Sequence, residues 1–225
     1  MILIKCENLK KSFYYNESPF HAIENCNMEI QEGEFAAICG NKGSGKSTLL
    51  RLLGGYDRAT SGSVYINGEN ITGYDDDRLS IMRRQNIGYL TKNDSLIPEL
   101  TVHENIILPL LLAKTACIQT HYKMLTDMLQ ITDILNRYPR QLLRNQIQSV
   151  VYVRTLIRQP NIILMDDPNI DMCRHLDRDL IEYLADLTRK QGRTLIIATN
   201  DPEITSLADH VIKLKRGTVI EDVVQ

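Results

Sequence analysis

The sequence predicts an α/β fold in which helices flank a mainly parallel β-sheet. Short apolar segments, typical of strands buried on both faces, alternate with longer segments of helical periodicity. Strands separated by helices are joined by right-handed crossovers, and such crossovers produce a parallel sheet. Near the middle of the chain, leucine- and methionine-rich periodicity dominates and β-branched runs fade, which indicates a helical insertion within the α/β core.

The N-terminal part, residues 1–35, predicts short strands and turns. Ile2, Ile4 and Cys6 alternate with other positions, which is the period-2 pattern of a half-buried strand. The next segment, Phe35–Cys39, is a continuous apolar run bounded by glycines and is consistent with a buried parallel strand. A β-rich N-terminal region therefore leads into the predicted core sheet.

Helices and strands alternate in the segments that follow. Residues 46–54 carry four leucines and predict a helix packed on a sheet. Residues 63–68 predict a strand that ends in an Asn-Gly turn. Residues 75–84 are rich in charge and predict a helix, and residues 93–150 form the helical insertion.

Strands return in the C-terminal part of the chain. They are predicted over residues 162–165, 194–198 and 210–214, with a helix over residues 174–191. We therefore divide the chain into an α/β core of about residues 1–92 and 151–225 and a helical subdomain of about residues 93–150.

Composition and charge exclude several classes of function. Lys and Arg number 26 against 28 Asp and Glu, a net charge of −2, so bulk charge does not favour nucleic acid as a partner. No apolar run reaches the roughly 18 residues of a transmembrane helix, and no secretory signal is visible at the N-terminus. The five cysteines are scattered and none forms C-x-x-C, which predicts reduced thiols in a cytosolic protein and no metal site built from them.

A phosphate-binding loop is the strongest motif. It matches G-x-x-x-x-G-K-[ST] and lies between the predicted strand at 35–39 and the predicted helix at 46–54. Its glycines allow successive N–H groups to turn inward as an anion nest, and the helix start adds its positive dipole end. Lys46 is placed to reach the β- and γ-phosphates. The candidate nucleotide-binding residues of this loop are Gly40, Asn41, Lys42, Gly43, Ser44, Gly45, Lys46, Ser47 and Thr48.

A candidate Mg²⁺ site joins this loop to a distant strand. The apolar segment at 162–165 is followed by Asp166, and a carboxylate at such a strand end can hold the Mg²⁺ bound to nucleotide phosphates. Ser47 can offer its hydroxyl to the same ion. The predicted metal ligands are therefore Ser47 and Asp166, and the predicted cofactors are ATP and Mg²⁺.

Further segments carry a resemblance to a known family. They are residues 32–35, 52–58, 60–62, 83–88, 96–105, 138–139, 201–203 and 208–211. With the phosphate-binding loop, they make the chain resemble the nucleotide-binding subunits of ABC transporters over essentially all of residues 1–225. The resemblance is closest to the stand-alone bacterial ATPases that serve lipoprotein-release, macrolide-export and antimicrobial-peptide-detoxification permeases.

The resemblance implies an architecture, partners and a location. It implies a RecA-like core, a small antiparallel β subdomain and a helical subdomain. Two subunits, identical or different, would sandwich two ATP molecules on the cytoplasmic face of the membrane, bound to a permease. The adenine-stacking aromatic falls at Phe13, with Tyr14 and Tyr15 as alternatives, because each supplies a π-face. The loop at 93–105 is either the groove for the coupling helix of the permease or a plain surface loop.

The signature segment departs from the family pattern. L-S-G-G-Q in the family, which caps the γ-phosphate held by the partner subunit, is here Leu142 followed by Leu143, Arg144, Asn145 and Gln146. Leu143 has no hydroxyl, and the next two residues bring side chains to a place of close backbone approach. Arg144 is either an arginine finger across the dimer, a surface arginine or an arginine paired with a carboxylate.

Four further catalytic positions also depart from the family. Asp167 replaces the catalytic Glu and is one methylene shorter, and Asn200 replaces the switch His and carries no proton in the physiological range. Lys92 replaces the Gln that ligates Mg²⁺ and is either a γ-phosphate contact or a solvated loop lysine. Cys173 stands at the position of an Asp. We take Asp167 and Asn200 as the candidate catalytic residues.

The sequence therefore predicts an ATP-binding subunit of an ABC transporter whose hydrolysis is weak. The principal alternative is a non-hydrolytic nucleotide sensor or regulatory subunit that gates a membrane partner through binding alone. A soluble P-loop kinase is a third hypothesis, but the helical insertion fits an ABC protein better than it fits such a kinase.

Overall fold

The structure is a computed structural model that describes residues 1–15, 18–91, 95–168 and 174–225. The strands are β1 (Ile2–Tyr15), β2 (Ser18–Gln31), β3 (Phe35–Cys39), β4 (Ser61–Ile66), β5 (Glu69–Asn70), β6 (Ile87–Leu90), β7 (Ile162–Asp166), β8 (Thr194–Ala198), β9 (His210–Lys215) and β10 (Thr218–Val224). The helices are α1 (Lys46–Leu53), α2 (Asp76–Asn86), α3 (Val102–Ala113), α4 (Gln119–Met128), α5 (Arg144–Leu156), α6 (Arg174–Gln191) and α7 (Pro202–Leu207), with 3-10 turns at Thr132–Ile134 and Pro139–Gln141.

The core sheet confirms the predicted mainly parallel arrangement. Its strand order is β10-β9-β3-β8-β7-β6, and its pairs are parallel except for the antiparallel pair of β9 and β10. Parallel strands covered on both faces read as continuous apolar runs, and every residue of β8 is buried accordingly. The carboxyl ends of β3, β7 and β8 meet at one edge of the sheet, where open α/β sheets bind ligands.

The two faces of the core sheet bury different partners. Along β3, Ala36 and Ile38 join a cluster with α1 and the N-terminal sheet, whereas Phe35 and Ala37 join a cluster with α3, α4, α5 and α6. This division follows from the alternation of side chains along a strand. Helix α1 therefore lies between two sheets, which fixes the start of that helix against the edge of β3.

The N-terminal region differs from the predicted short strands and turns. Strands β1 and β2 have 14 residues each and form one antiparallel hairpin, which belongs to a four-stranded sheet of order β2-β1-β4-β5. The register of β1 against β2 shifts between Cys6 and Leu9 and again between Leu9 and Lys11. Asn8, which lies within the first of these shifts, has a φ of 47°. Such irregularities interrupt the period-2 pattern, so that one long strand reads as several short ones.

The elements predicted between the sheets are confirmed with small shifts at their ends. Strand β4 ends before Asn67 and Gly68, whose positive φ angles form the turn to β5. Helix α2 begins after Asp75, whose side chain accepts a hydrogen bond from the Arg78 N–H, a normal N-cap. Helices α1 and α6 occupy the predicted segments.

A helical layer follows β6, as the sequence predicts. The side chain of Asn105 on α3 is fully buried and fastens the preceding loop, since its amide accepts from the Ile97 N–H and donates to the carbonyls of Ile97, Leu100 and Thr101. The sequence analysis ends the helical subdomain at about residue 150, but helix α5 continues past that residue without a break. The subdomain boundaries therefore stay a prediction. Across the described ranges, every helix is too short or too polar to traverse a bilayer.

A buried histidine joins three segments of the core. His210 on β9 is 3% exposed; its Nδ1 lies 2.6 Å from Glu34 Oε1, and its Nε2 contacts Asp222 Oδ1 on β10. The contact with Glu34, assisted by Asp222, raises the pKa of His210 above its usual value despite the opposing effect of burial. The protonated imidazole is therefore the form that this position favours.

The His210 cluster predicts a dependence of stability on pH. Because its folded pKa is raised, the contribution of His210 to the unfolding free energy is fully present below an unfolded pKa of about 6.5 and is lost as pH rises through the folded pKa. We expect the His210→Gln variant to lose this decrease in unfolding free energy with rising pH. The control variant His103→Gln, which changes an exposed histidine, should retain the decrease. Urea denaturation from about pH 6 to pH 9 measures the effect. Parallel pH profiles for wild type and His210→Gln would contradict the assignment.

Candidate functional site

The phosphate-binding loop connects the end of β3 to the start of α1. Gly40, Gly43 and Gly45 have φ angles of 149°, 80° and 105°, so the loop uses backbone conformations that favour glycine. Lys46 Nζ donates to the carbonyl oxygen of Gly40 at 2.5 Å and to that of Asn41 at 3.3 Å. The lysine therefore folds back along the loop, and its ammonium lies where the motif places a phosphate-binding charge.

Gly45 shows why the loop packs tightly against the N-terminal hairpin. A Cβ at this position would lie 2.4 Å from the carbonyl oxygen of Ala22 on β2 and 2.9 Å from Ile23 Cδ1. A Cβ added at Gly43, by contrast, would have no heavy atom within 4 Å, so that part of the loop is open to a ligand.

A substitution at Gly45 should destabilise the protein. We expect Gly45→Ala to cost about 2 kcal/mol or more, because it adds a backbone collision to the strain of a positive φ. In a chain of this size that cost lowers Tm by roughly 4–8 °C. Gly73→Ala is the matched control, since a Cβ there meets nothing within 4 Å. Thermal denaturation followed by circular dichroism compares the variants, and equal Tm values would contradict the packing.

Burial sets the electrostatic state of Lys46. The residue is only 9% exposed, and burial lowers its pKa, while the negative charges of Asp167 and Asp166 act in the opposite direction. A desolvated ammonium interacts more strongly with an anion than one in water. Lys46 is therefore suited to a polyanionic ligand such as a triphosphate.

The predicted metal ligands lie in direct contact. Ser47 on α1 donates its hydroxyl to Asp166 Oδ1 at the end of β7, with 2.8 Å between the oxygens. Hydroxyl and carboxylate oxygens are the ligands that Mg²⁺ prefers, and one or two protein oxygens plus nucleotide phosphates form its usual site. The donor set therefore fits Mg²⁺ beside a bound nucleotide. Elsewhere in the described residues, no cluster of three or more His, Cys, Asp or Glu side chains could hold a metal.

The candidate catalytic residues follow two neighbouring strands. Asp167, after β7, is exposed and has a φ of 46°, and its N–H donates to the carbonyl of Ala198 at the end of β8 at 2.7 Å. Asn200 is also exposed and follows Thr199, whose N–H donates to the Ile38 carbonyl on β3. Hydrogen bonds between the strand ends therefore place both side chains at the rim of one cleft.

This cleft, which we call the P-loop cleft, has a volume of about 520 Å³. Its lining residues are Phe20, Ala22, Lys42, Gly43, Ser44, Gly45, Lys46, Ser47, Thr48, Asp167 and Asn200. The structure thus brings most of the predicted loop residues together with both candidate catalytic residues. Gly40 and Asn41 are not among the lining residues, but their carbonyl oxygens accept hydrogen bonds from Lys46.

An aromatic pair stands beside the cleft. Phe13 on β1 lies directly opposite Phe20 on β2, so their side chains share one face of the hairpin. Phe13 is 43% exposed, and the Lys11 ammonium lies 4.9 Å from its ring centroid; Phe20 lines the cleft itself. Our sequence reasoning missed Phe20, because only the register of the hairpin brings it beside Phe13. Tyr14 is exposed, and the side chain of Tyr15 is outside the described part.

The signature segment lies outside the P-loop cleft. Leu143 precedes α5 and is 67% exposed, and its N–H donates to Gln146 Oε1 at 2.9 Å. Arg144 is exposed and has no ion pair among the described residues, while Asn145 and Gln146 are half-buried. Within one chain, these residues do not share the cleft of Lys46. Lys92 and Cys173 fall outside the described residues.

Comparison with models of known protein families identifies an ABC transporter domain in this chain. The sequence model described as "ABC transporter" matches residues 23–169. This range includes the phosphate-binding loop, the signature segment and both aspartates at the end of β7.

Several curated sequences are similar over nearly the whole chain. The uncharacterized ABC transporter ATP-binding protein MJ0796 of Methanocaldococcus jannaschii is 34% identical over 223 residues, which cover 96% of this chain and 95% of the relative. The macrolide export ATP-binding/permease protein MacB of Bradyrhizobium diazoefficiens is 32% identical over 98% of this chain. The chain spans about a third of that longer relative (34%).

Solved structures share the fold. A dimeric post-hydrolysis state of the ATP-binding cassette MJ0796, bound to ADP and Pi, superposes with a TM-score of 0.91 at 32% identity, covering 99% of this chain and 98% of that chain. A nucleotide-free cassette from an ABC transporter superposes with a TM-score of 0.77 at 24% identity, covering 100% and 92% of the two chains, and shows a common fold. The predicted RecA-like architecture is therefore confirmed.

Proposed function

This chain belongs to the ABC transporter ATP-binding family, and on that premise we propose that it binds Mg-ATP in the P-loop cleft and transmits its nucleotide state to a membrane permease, with weak hydrolysis. The contact between Ser47 and Asp166 carries this proposal. It joins the loop that would hold the phosphates to the carboxylate that would hold Mg²⁺, across 119 positions of sequence. An ordinary glycine loop has no need of such a partner.

Each part of the cleft has a role toward the nucleotide. The N–H groups of the loop and the start of α1 would hold the phosphates, and Lys46 would contribute the buried positive charge. Ser47 and Asp166 would ligate Mg²⁺, which shields the phosphate charge when bound. Phe13 and Phe20 offer exposed ring faces at the mouth of the cleft, where an adenine can stack.

Weak hydrolysis is proposed because the two residues that would orient and activate the attacking water differ from the family pattern in ways that weaken both roles. Asp167 reaches one methylene less far than the Glu of the family pattern, and a misplacement of about 1 Å can cost ~100-fold in rate. Asn200 can donate a hydrogen bond from its amide but cannot take up or release a proton near pH 7. Both side chains line the cleft, so both defects act on the same bound nucleotide.

The proposed assembly is a dimer of ATP-binding subunits, identical or different, attached to a permease on the cytoplasmic face of the membrane. The relative MJ0796 forms a dimer with bound ADP and Pi. The separation of residues 143–146 from the P-loop cleft of the same chain is consistent with a role toward the partner subunit. Leu143, Arg144 and Asn145 would then weaken the second nucleotide site as well.

Calorimetry and turnover measurements test the proposal. The full chain with its permease should bind Mg-ATP and hydrolyse it far below a typical enzyme rate of ~10 per second. A rate of that size that is lost in Asp167→Asn would refute the impaired-hydrolysis part. No heat on addition of Mg-ATP would refute nucleotide binding itself.

The same experiment separates the proposal from a non-hydrolytic sensor. A sensor needs a ligand that binds two conformations with different affinity. ATP binding that changes the oligomeric state, with no turnover above the Lys46→Ala background, would identify the sensor. Slow turnover above that background supports the transporter subunit with weak hydrolysis.

A further inference from the structure

The loop that joins β9 to β10 contacts the phosphate-binding loop. Its two central residues, Arg216 and Gly217, have φ angles of 49° and 78°, and the residues on either side, Lys215 and Thr218, pair with each other. Such a two-residue loop with positive φ angles is the type I′ turn of a tight hairpin. We call it the Gly217 turn. The Gly217 N–H donates to the carbonyl oxygen of Ser44 at 2.8 Å, so the turn is bonded to the phosphate-binding loop.

The Gly217 turn also holds strand β2. The carbonyl oxygen of Gly217 accepts a hydrogen bond from the Glu24 N–H at 2.8 Å. That N–H is available to the turn because β2 bulges at this point, where Glu24 and Asn25 together stand opposite the single residue Lys10 of β1. Bulges of this kind interrupt the strand ladder and are common beside active sites. One glycine therefore binds the phosphate-binding loop through its N–H and β2 through its carbonyl.

Glycine at two positions lets these segments approach closely. A Cβ on Gly217 would lie 2.7 Å from the carbonyl oxygen of Ala22 and 3.0 Å from the Cα of Ile23, both on β2. A Cβ on Gly45 of the phosphate-binding loop would collide with the same Ala22 oxygen. Two glycines from different segments therefore pack on one peptide group of β2.

The turn conformation by itself does not require this packing. Asn67 and Gly68 form the equivalent turn between β4 and β5, with φ angles of 51° and 77°. A Cβ on Gly68, however, would meet nothing within 4 Å. Alanine at Gly68 therefore adds the strain of a positive φ alone, whereas alanine at Gly217 adds the same strain and a collision with β2.

The segment of β2 held in this way carries the aromatic face of the P-loop cleft. Phe20 lies two residues before Ala22, lines the cleft and stands opposite Phe13. The phosphate-binding loop is fixed at both ends by β3 and α1, whereas Phe20 lies near the end of the β1–β2 hairpin. A collision at Ala22 would therefore move the aromatic face further than it moves the loop.

We propose that Gly217 is a positioning residue of the nucleotide site, which sets the separation between the phosphate-binding loop and the aromatic face formed by Phe13 and Phe20. The base and the phosphates of a nucleotide are linked, so stacking strengthens binding only when both contacts form at once. Gly217 thereby determines how much the base contributes to affinity. This inference rests on the proposed function, because it places a nucleotide in the P-loop cleft.

Calorimetry with two ligands tests the proposal. The full chain is titrated with Mg-ATP and with magnesium tripolyphosphate, which supplies phosphates without a base. Wild type should prefer ATP by ~5-fold or more, the contribution of one stacked base. We expect Gly217→Ala to lose that preference while it binds tripolyphosphate as wild type does. The matched control Gly68→Ala should bind both ligands as wild type does.

A second variant covers the case in which Gly217→Ala is unfolded in a thermal melt. Glu24→Pro removes the N–H that donates to Gly217, at a bulge where proline is tolerated, and should also lose the preference for ATP. An unchanged preference in the folded variant, including equal losses for both ligands, would overturn the positioning role alone, as would equal binding of both ligands by wild type. No heat from wild type with either ligand would refute the proposed function, and the positioning role with it.

Discussion

Lys46→Ala is expected to weaken the binding of Mg-ATP by at least ~100-fold. The side chain is 9% exposed and is held by the carbonyls of Gly40 and Asn41, so its ammonium is already positioned before the nucleotide arrives. A hydrogen bond to a charged group is worth about 1.5–3 kcal/mol, and one or two such contacts with phosphate account for a loss of this size. Isothermal titration calorimetry measures the affinity directly.

Lys42→Ala is the matched control for this experiment. Lys42 lies in the same loop and lines the same cleft, but it is exposed, so water screens its charge. We expect a loss of only a few fold. Equal losses for the two lysines would mean that total charge alone holds the nucleotide, and an unchanged affinity in Lys46→Ala would contradict the role of the loop. A thermal melt of each variant separates lost binding from lost folding.

The phosphate site was predictable from sequence because its parts obey local rules. The glycines and Lys46 occupy a fixed spacing, and the strand before them and the helix after them are each visible as a pattern of apolar residues. Asp166 was predictable for a different reason. Strands of one parallel sheet end at one edge, so an acid after β7 lies near the loop after β3 in spite of the distance in sequence.

Other features depend on tertiary arrangement and have no local signal. The length of β1 was hidden by the irregular register near Asn8, because bulges break the alternation on which strand prediction depends. Phe20 became a candidate nucleotide contact only once the hairpin register placed it opposite Phe13. The role proposed for Gly217 depends on the contact of its turn with Ser44, and no local pattern around residue 217 indicates that contact.

Asp167→Glu is expected to raise the rate of ATP hydrolysis by up to ~100-fold when the other departures are reversed. The appropriate background carries Lys92→Gln, Cys173→Asp and Asn200→His, together with Leu143→Ser, Arg144→Gly and Asn145→Gly in the signature segment. In that background, the length of the carboxylate at 167 is the remaining difference from the family pattern, and about 1 Å of reach is worth this factor. Steady-state phosphate release by the complex with permease measures the rate. Asp167→Asn in the same background is the control and should abolish turnover, because an amide cannot accept a proton from water.

In the wild-type background the same change should have a much smaller effect. Asp167 has a φ of 46°, a conformation that Asp tolerates better than most residues, so Asp167→Glu also adds a small backbone cost. With Asn200 and the altered signature still in place, the lengthened carboxylate would act on a nucleotide that lacks its other contacts. Effects of groups that act as one unit are not additive, and a gain that requires the restored background is the sign of such a unit. A full ~100-fold gain from Asp167→Glu alone would instead show that carboxylate reach is the only defect, and that the signature segment and Asn200 do not limit hydrolysis.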